Sequence, residues 1–589
     1  MIVPMKKVTF VGIESEKDGF LERLQKVGVT HIILPKEAVE PSEIARELQR
    51  VIDTKKFLAR RGSQGNPETA LDAKEICEKR EELGREEAGL NSELVATRKL
   101  RASVEPWGSF SVEDVKALRE KGLRIQLFRV NRRTFETLAL DDVFSQVVSD
   151  RGGEICFATF SAGEQIDLGV AEEKLPSKSL AEVDSEIETM LARLQAVEEE
   201  YSSLAEHLGT LEKAEAEITD QLEYQRTLMN AQPELDDRVF VLQCWSPIPE
   251  EELVAKLGSD FTFTHYSEEP EEWDRMPVLM KNPPAFESGE DLVKIYSYPS
   301  HKDFDPSPFV LYCFAVFFGM IIGDLGYGLI LLGGTFWITR KVKSRSPLAV
   351  RMFRLMYLLC ASVIFFGIIG ASFFGIVLDP NNPWVKHAWF DYSTMAGQNH
   401  VMVVSILIGM VHISLSFFIK LYNDRDYGAP GWVIAIWSAY FLLNSRMAHG
   451  EDNPAAMYGL IAGLAIVLLF SSKNKNLLLR LVEGVQALLG IIQVFGDVLS
   501  YLRLFALGVA TVYIAQTFNI LGGAVADSIP VLGLVFAGVI LFLGHVLNIG
   551  LAIMGGVIHG LRLNFLEWYR WCFEGDGLEY KPFQRISEQ

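Results

Sequence analysis

Two arginines lie inside long apolar stretches near the end of the chain. Arg503 falls within VQALLGIIQVFGDVLSYLRLFALGVATVYIAQTF, and Arg562 falls within the later sequence HGLRLNFLEWY. An arginine at the centre of a lipid-embedded helix costs from about 3 kcal/mol to more than about 10 kcal/mol, so it is rarely retained for packing alone. The pattern therefore indicates that each arginine serves a charge inside a membrane.

A fixed positive charge at mid-membrane depth has a specific use. A carboxylate carried by a moving partner would be held ionised beside Arg503, because an opposite charge at about 4–6 Å favours the charged form. That acid would release its ion into one aqueous path and reload from another. Arginine suits this role better than lysine, since a guanidinium does not lose its proton at physiological pH.

The same two stretches carry polar side chains at other depths. If the first stretch enters from the cytoplasm and the second returns, these side chains form an inner and an outer group. The inner group is Gln493, Asp497, Ser500 and Glu567, the outer group is Thr511, Tyr513, Gln516, His545 and Asn548, and His559 lies one turn before Arg562. The arrangement predicts two offset half-depth aqueous paths that stop near the arginines, with no continuous pore.

Plainer roles for these residues stay open. Arg503 could form an internal salt bridge with Asp497, although residues six apart do not share a helical face. Arg562 could be a structural residue or one that extends its charge towards the membrane surface. Histidines 412, 545 and 559 could be satisfied core residues, and glycines 544, 550, 555, 556 and 560 could serve close helix packing.

Charge divides the chain into two halves. From residue 301 onward there are 17 acidic and 19 basic residues, and the chain totals of 76 and 56 leave 59 acidic and 37 basic residues before it, a net charge of −22. This predicts an acidic soluble domain fused to an apolar membrane domain, which argues against a nucleic-acid partner.

The six cysteines are widely spaced, so we expect no metal site, disulfide framework or cofactor. The first ten residues do not resemble a signal peptide.

The soluble half is predicted to be an α/β domain with two lobes bridged by an antiparallel coiled-coil hairpin. KKVTFVGIE and THIILP have strand patterns, as do LRIQLFRV, FSQVVSD and EICFATF. A seam with alternating spacings of three and four runs through Leu180, Val183, Ile187, Met190, Leu194, Val197, Tyr201, Leu204, Leu208 and Leu211. We expect a soluble domain at 1–300, with a near lobe at 1–55 and 230–300, arms at 56–104 and 176–229, and a far lobe at 105–175. A parallel coiled coil between two chains is the alternative.

The membrane half, 301–589, is predicted to be all-α with about eight spans. Apolar segments fall at about 308–322, 325–340, 352–378, 399–421, 430–446, 454–472, 485–521 and 531–571. The first two form one run broken at MIIGDLGYG, where Asp324 is a structural buried acid that backbone or a neighbouring helix must satisfy. The last two would be about 55 Å and 60 Å long at helical rise, nearly twice the hydrocarbon core, so we expect steep tilt.

Charge in the loops sets the orientation. The segment 340–354 holds six basic and no acidic residues, which places it in the cytoplasm by the positive-inside rule. With a cytoplasmic N-terminal half, the preceding run must cross twice, and both termini are then cytoplasmic. Seven spans, which would put this loop outside, are the alternative.

Several motifs carry a family resemblance. SYLRLFALGVA, HGLRLNFLEWYRWCFEGDGLEYKPF, FFGMIIGDLGYG and ASFFGI resemble the membrane domain of the a subunit of V-type and archaeal-type rotary ATPases, called subunit I in prokaryotes. RVFVLQCWSPIPEEE is similar to the N-terminal domain of the same family. The resemblance covers essentially the whole chain.

The resemblance implies a non-catalytic stator subunit of a rotary ATPase or ATP synthase in a prokaryotic plasma membrane. Its implied partners are the proteolipid (c/K) ring, peripheral-stalk E/G heterodimers, the central-stalk socket subunit (d/C) and the lipid bilayer. Arg503 matches the family's essential arginine and Arg562 its second arginine. Eukaryotic members have a glutamate ten residues before the second arginine, where this chain departs from the pattern with Ala552. Asp497 and Glu567, which lie at different depths, are the candidates to replace it. ATP would be handled by other subunits, since the chain has no GxxxxGK[ST] loop.

Two other functions stay open. A stand-alone secondary transporter with a cytoplasmic regulatory domain is one, although the membrane segments show no internal repeat. A membrane-anchored scaffold is the other, and it leaves both arginines unexplained. The sequence does not distinguish H⁺ from Na⁺ as the ion, nor ATP hydrolysis from synthesis.

Overall fold

The computed structural model describes residues 1–35, 39–62, 71–108, 110–138, 140, 143–163, 165–174, 177–234, 238–271, 274–342, 346–379, 382–388, 392, 394–449, 453–472, 476–528 and 532–587. The chain forms two compact units. The membrane unit comprises Met1–Gly12, Val29–Ile33 and Val241–Pro582, and the arm unit comprises Ile13–Gly28, Leu34–Phe240 and Phe583–Gln589. The domain boundary at residue 300 and the lobe limits stay predictions.

The first 300 residues contain most of the strands. Their elements are β1 (Lys6–Ile13), α1 (Lys17–Val27), β2 (His31–Ile32), α2 (Ser42–Ala59), α3 (Ala73–Val104), α4 (Val112–Glu120), β3 (Leu123–Asn131), α5 (Arg132–Thr137), β4 (Ser145–Arg151), β5 (Glu154–Ala162), β6 (Glu172–Glu173), α6 (Leu180–Leu204), α7 (Leu208–Asn230), β7 (Gln232–Glu234), β8 (Val239–Ser246), α8 (Glu250–Leu257), β9 (Phe263–Glu268), β10 (Pro277–Val278) and α9 (Glu287–Tyr296).

The remaining residues are almost entirely helical. Their elements are α10 (Ser307–Ile322), α11 (Leu325–Lys341), α12 (Pro347–Ile369), α13 (Pro383–Lys386), α14 (Met395–Asp424), α15 (Ala429–His449), α16 (Pro454–Phe470), α17 (Leu477–Leu488), α18 (Ile491–Leu499), α19 (Leu502–Ser528), α20 (Leu532–Arg562), a π-helical segment (Leu563–Trp568), α21 (Tyr569–Cys572) and β11 (Leu578–Glu579).

In the arm unit, α3 and α6 lie side by side and run antiparallel. Arg101 Nε donates to Asp184 Oδ1 at 2.6 Å, whereas Arg193, further along α6, donates to Glu86 Oε1 at 2.6 Å. Each helix begins with a capping box, which satisfies backbone N–H groups at its N-terminus. The apolar seam of α6 is turned towards this partner, and Tyr201 is fully buried in it. The antiparallel packing supports the predicted hairpin, and its coiled-coil character stays a prediction.

The far lobe of the arm unit is an antiparallel sheet in the order β4-β5-β3-β6. Strands occur where LRIQLFRV, FSQVVSD and EICFATF predict them. Side chains alternate between two faces, as the two-residue period of a strand requires. One face buries Ile125 and Leu127 with Trp107, and the other buries Phe128 and Phe157.

The membrane unit contains a second sheet as well as its helices. Its strands follow the order β2-β8-β1-β9, and both β1–β9 and β2–β8 are antiparallel, with Thr9 opposite Tyr266 and His31 opposite Trp245. A short parallel pair joins β10 to β11, so the segment after the last helix is anchored by backbone hydrogen bonds.

The break predicted at MIIGDLGYG is confirmed. Helix α10 ends at Ile322 and is capped by Gly323, whose φ of +45° lies in the left-handed region that favours glycine. Asp324 then caps α11 by accepting a hydrogen bond from the Tyr327 N–H at 3.0 Å.

Four helical stretches among the described residues are long and apolar enough to cross a membrane, judged by length and composition. They are Pro347–Ile369, Met395–Asp424, Leu478–Ser528 and Leu532–Cys572. The shorter apolar helices Ser307–Ile322 and Pro454–Phe470 cover the first and sixth predicted segments. Helices α11 and α15 cover the second and fifth. The total of eight spans stays a prediction.

Candidate functional site

The segment before Arg503 is broken, although the sequence predicts one continuous helix over 485–521. The structure has three helices there, α17, α18 and α19, interrupted at 489–490 and at 500–501. Tyr501 lies at the second interruption and is fully buried. Its hydroxyl contacts His412 Nδ1 at 2.7 Å, and a Cβ on Gly409 would lie 2.7 Å from its ring. These contacts with α14 fix the turn that carries Arg503.

Arg503 and Arg562 both contact one carboxylate. Arg503 Nη1 is 3.5 Å from Glu567 Oε1, and Arg562 Nε is 3.7 Å from the same oxygen. The Glu567 side chain is only 5% exposed, against 21% for Arg503 and 51% for Arg562. Among the described residues, Arg503 Nη1 and Glu567 Oε2 have no hydrogen-bond partner. The three side chains therefore form a cluster held by charge, with one net positive charge.

A π-helical segment positions Glu567. It spans Leu563–Trp568 and begins directly after Arg562. In a regular α-helix a residue five positions later lies about 140° around the axis, because five residues turn the chain by about 500°. The i to i+5 pattern of a π turn brings the two residues towards the same side. Such segments are frequent at functional sites, and no simple sequence signal marks this one.

Asp497 pairs with Arg570 and not with Arg503, the partner that the sequence analysis considered. It lies on α18, and its oxygens accept hydrogen bonds from Gln493 Nε2 at 2.9 Å and Trp571 Nε1 at 2.9 Å. Arg570 Nη1 lies 3.3 Å from Asp497 Oδ1. Arg503 is therefore not paired with Asp497 but with Glu567. The Asp497 cluster ties α18 to α21 across 74 residues of sequence.

The remaining inner residues contribute less to these clusters. The Ser500 hydroxyl donates to the Gly496 carbonyl at 3.0 Å, within its own helical turn. His559 is half-buried, and its Nδ1 has no hydrogen-bond partner among the described residues. His412 is buried, and its ring stacks on Trp568 at 4.9 Å between centroids. A core role therefore suits His412 better than it suits His559.

Two of the outer residues face the interior of the helix bundle. The Thr511 hydroxyl donates to the Ile321 carbonyl at 3.2 Å. Asn548 Nδ2 donates to the Tyr327 hydroxyl and to the Thr511 carbonyl, both at 2.9 Å. These bonds join α19 and α20 to the broken pair α10–α11.

His545 continues the same network. The Tyr327 hydroxyl lies 2.8 Å from His545 Nδ1, and His545 Nε2 lies 3.1 Å from Asn519 Oδ1. Asn519 Nδ2 in turn donates to the Phe374 carbonyl at 2.8 Å. A neutral His545 with its proton on Nε2 fits both contacts: Nε2–H donates to Asn519 Oδ1, and Nδ1 accepts from the Tyr327 hydroxyl. This tautomer is inferred from the partners.

The other outer residues lie closer to the surface. The Tyr513 hydroxyl is exposed and accepts from Gln398 at 2.8 Å. Gln516 is half-buried on the same helix. Whether any outer residue lines an aqueous path stays a prediction.

Asp324 is a buried acid at the α10–α11 break, as the sequence predicts. It is 1% exposed, and beyond the Tyr327 N–H it accepts from the Ser372 hydroxyl at 2.7 Å and the Gly375 N–H at 3.2 Å. Its bonds fix the loop after α12 against α11, which supports a structural role.

Three of the five glycines considered for packing contact another helix. A Cβ at Gly544 would lie 2.2 Å from the Phe518 ring, and Cβ atoms at Gly556 and Gly560 would meet Phe318 and Phe314. At Gly550 and Gly555 a Cβ would meet nothing within 4 Å. The latter two therefore leave open space on α20.

The described residues include no cluster of metal-ligating side chains. No group of three or more His, Cys, Asp and Glu side chains among them could hold a metal ion. Ala552 is buried at 4% exposure.

The sequence interpretation missed Tyr327, Asn519, Arg570 and Trp571. Tyr327 is part of the quoted GDLGYG motif, and Arg570 and Trp571 are part of the quoted WYRWCF sequence. The signal that the sequence offered was a polar residue within an apolar segment. The partners of these residues are 26 to 221 residues away, so spacing alone could not identify them.

Comparison with known proteins supports the resemblance. A sequence model of the V-type ATPase 116kDa subunit family matches residues 165–382. V-type ATP synthase subunit I of Chlamydia trachomatis serovar D is 26% identical over 659 residues, covering 100% of this chain and 99% of that protein. A-type ATP synthase subunit I of Methanocaldococcus jannaschii is 27% identical over 465 residues, covering 72% and 66%.

A solved structure gives a weaker match. The cytoplasmic N-terminal domain of subunit I, homolog of subunit a, of V-ATPase is 15% identical, with a TM-score of 0.22, and covers 45% of this chain and 100% of that chain. The sequence comparisons confirm the resemblance to subunit I of V-type and A-type ATP synthases.

Proposed function

We propose that this chain, a subunit I relative of the V-type and A-type ATP synthases, is the non-catalytic stator subunit of such a rotary machine. Its membrane half forms two offset half-paths against a proteolipid ring. Arg503 holds the rotor carboxylate ionised between the paths, so that transport of H⁺ or Na⁺ is coupled to ATP hydrolysis or synthesis. The names of the curated relatives support this role over a stand-alone transporter.

The observation that carries the proposal is the setting of Arg503. Its side chain is 21% exposed, and its buried Nη1 lies 3.5 Å from Glu567 Oε1 without making a hydrogen bond to any described residue. A buried cation in an apolar segment is normally fully paired. Arg503 shares its one carboxylate contact with Arg562, so it has capacity for one more anionic partner.

The surface around Arg503 suits close approach of another helix. Ala506 and Ala510 are exposed on the same side of α19, three and seven positions after Arg503. Small side chains at such spacing let helix backbones approach closely in a membrane. A rotor helix could bring its carboxylate to the guanidinium along this stripe.

The same proposal assigns the rest of the chain. Eight spans place both termini in the cytoplasm of a prokaryotic cell, and the membrane is the plasma membrane. The arm unit, with its antiparallel helices α3 and α6, binds the peripheral-stalk E/G heterodimers, and the socket subunit (d/C) contacts the same cytoplasmic face. Gln493, Asp497, Ser500 and Glu567 belong to the inner path, and Thr511, Gln516, His545 and Asn548 to the outer path.

Substitution of Arg503 tests the proposal. In the complex purified through this chain and reconstituted into vesicles, Arg503→Ala should lower ATP-driven ion uptake by at least about 100-fold, since losing one preorganised electrostatic group has effects of that order. The complex should still assemble. Arg340→Ala is the matched control, because it removes an exposed arginine at the end of α11 that belongs to neither cluster, and it should leave uptake within about threefold of the parent. Undiminished uptake with Arg503→Ala would refute the role.

Arg562 should matter less than Arg503. It is half-exposed, and its contact with Glu567 is the longer of the two. Arg562→Ala should therefore reduce uptake by about tenfold or less, the size expected of a partly solvated charge contact. A loss equal to that of Arg503→Ala would reverse the ranking.

A further inference from the structure

We infer that Glu567 is an exchangeable counter-ion for Arg503. It neutralises Arg503 when no external carboxylate is present, and it transfers to Arg562 when one arrives. The inference rests on the proposed function, because the arriving carboxylate is the one carried by the rotor. Glu567 is thus a positioning residue that acts through Arg503.

The contacts of Glu567 with both arginines are long and lack hydrogen bonds. One oxygen, Oε1, lies 3.5 Å from Arg503 and 3.7 Å from Arg562, and neither contact is a hydrogen bond. Buried carboxylates usually accept short charge-assisted bonds at about 2.7–2.9 Å. The other oxygen, Oε2, is buried and has no partner in the described residues. Small movements suffice to favour either arginine.

The charges of the cluster favour one incoming anion. Two guanidiniums and one carboxylate leave a net charge of +1, which one further carboxylate neutralises. Asp497 does not supply it, because its oxygens bind Arg570, Gln493 and Trp571. The half-buried His559 is also titratable, and it carries no negative charge. Among the described residues, neither arginine is at ion-pair distance from an acid other than Glu567, so a carboxylate from another chain would complete the cluster.

The exposure of the three side chains sets the direction of approach. Arg503 and Arg562 are partly exposed, and Glu567 lies behind them at 5% exposure. An anion arriving from outside meets the arginines first. The π turn keeps Glu567 on the same side as Arg562, so it can follow that arginine when Arg503 is taken.

A double-mutant cycle in the purified full-length chain tests the pairing without any rotor. Glu567→Gln, Arg503→Gln and the double variant are compared by melting temperature in mild detergent. We expect the double variant to recover at least half of the loss caused by Glu567→Gln, because the uncompensated charge is removed. The matched control is Asp497→Asn with Arg503→Gln, which should be additive because Asp497 pairs with Arg570. Additivity in the Glu567 cycle would overturn the inference.

Transport in the assembled complex tests the exchange. With Glu567→Gln, Arg503 has no competing anion and should hold the rotor carboxylate longer. ATP-driven ion uptake should then fall by about three- to tenfold, the range expected for loss of one coupled charge contact. The ratio of ions moved to ATP hydrolysed should not change, whereas general damage to the ion path would lower that ratio. Glu567→Asp, which keeps the charge, should recover at least half of the lost rate.

The two outcomes separate this inference from the proposed function. If Arg503→Ala abolishes uptake while Glu567→Gln transports at the parental rate, the exchange is wrong and the stator role stands. If Arg503→Ala transports normally, the stator role fails, whatever the double-mutant cycle shows. Should Glu567→Gln fail to accumulate, Glu567→Asp replaces it in the cycle, since it lengthens the contact to Arg503 and should show a smaller coupling of the same sign. Additivity there would overturn the exchange as well.

Discussion

Asp497 and Glu567 are two acids that are buried to a similar extent, but they differ in how fully their oxygens are hydrogen-bonded. Their side chains are 6% and 5% exposed, and each faces an arginine. Both oxygens of Asp497 accept hydrogen bonds, from Gln493, Arg570 and Trp571. Glu567 has two arginines at ion-pair distance, no hydrogen bond to either, and one orphaned oxygen.

This difference in hydrogen bonding makes Asp497 a fixed structural contact and leaves the contact of Glu567 with Arg503 easy to replace. A fully hydrogen-bonded buried carboxylate resists displacement, because every broken bond leaves a buried polar group unpaired. Asp497 therefore holds α18 against α21. A carboxylate held by charge alone loses little when a competitor arrives, so Glu567 leaves Arg503 accessible to another anion.

The largest effect on stability is expected at Asp497. Asp497→Ala removes the acceptor of three donors, and the Trp571 N–H is left without a partner. The free energy of unfolding should fall by about 2–3 kcal/mol, the usual penalty for leaving buried polar groups unpaired. Denaturant titration of the purified chain measures it. A change below about 0.5 kcal/mol, which is typical of surface substitutions, would show that the cluster does not hold the helices together.

An intermediate effect is expected at Trp571. Trp571→Phe keeps an aromatic ring but removes the N–H that binds Asp497 Oδ2 at 2.9 Å. We expect a loss of about 1–2 kcal/mol, because one hydrogen bond to a charged group is lost. Combining it with Asp497→Ala should add little, since both variants remove the same contact. Full additivity in that pair would contradict the shared contact.

The smallest effect on stability is expected at Glu567, although it affects transport. Glu567→Gln should change the free energy of unfolding by about 1 kcal/mol or less, since both arginines are partly solvated and their contacts with the acid are long. For each kcal/mol of stability lost, we therefore expect Glu567→Gln to reduce ion uptake far more than Asp497→Ala does. If Glu567→Gln destabilised the chain more than Asp497→Ala, the distinction between the two acids would be wrong.

Parts of this arrangement follow from local sequence. The α10–α11 break was predictable because a glycine can take a positive φ and an aspartate can cap the next helix. The far-lobe strands follow from their apolar alternation. Arg503 and Arg562 were identifiable because charge inside an apolar stretch is costly.

The contacts within the site were not predictable in this way. The interruption at 500–501 contains neither glycine nor proline and depends on Tyr501 meeting Gly409 and His412 on α14. The π turn adds an i to i+5 pattern that has no residue signature. The inward direction of Thr511 and Asn548 depends on how α19 and α20 rotate against α10 and α11, which tertiary packing sets.

Cysteine crosslinking tests most directly whether the Arg503 surface faces a rotor. Ala506→Cys places a thiol on the exposed side of α19 one turn from Arg503, and Leu329→Cys places one on the exposed side of α11. Both are treated with a short thiol crosslinker in complexes whose proteolipid carries one cysteine beside its membrane carboxylate. We expect a crosslink from position 506 to the proteolipid and none from position 329. Equal crosslinking from both positions, or none from position 506 in an assembled and active complex, would contradict the placement of Arg503 against the rotor.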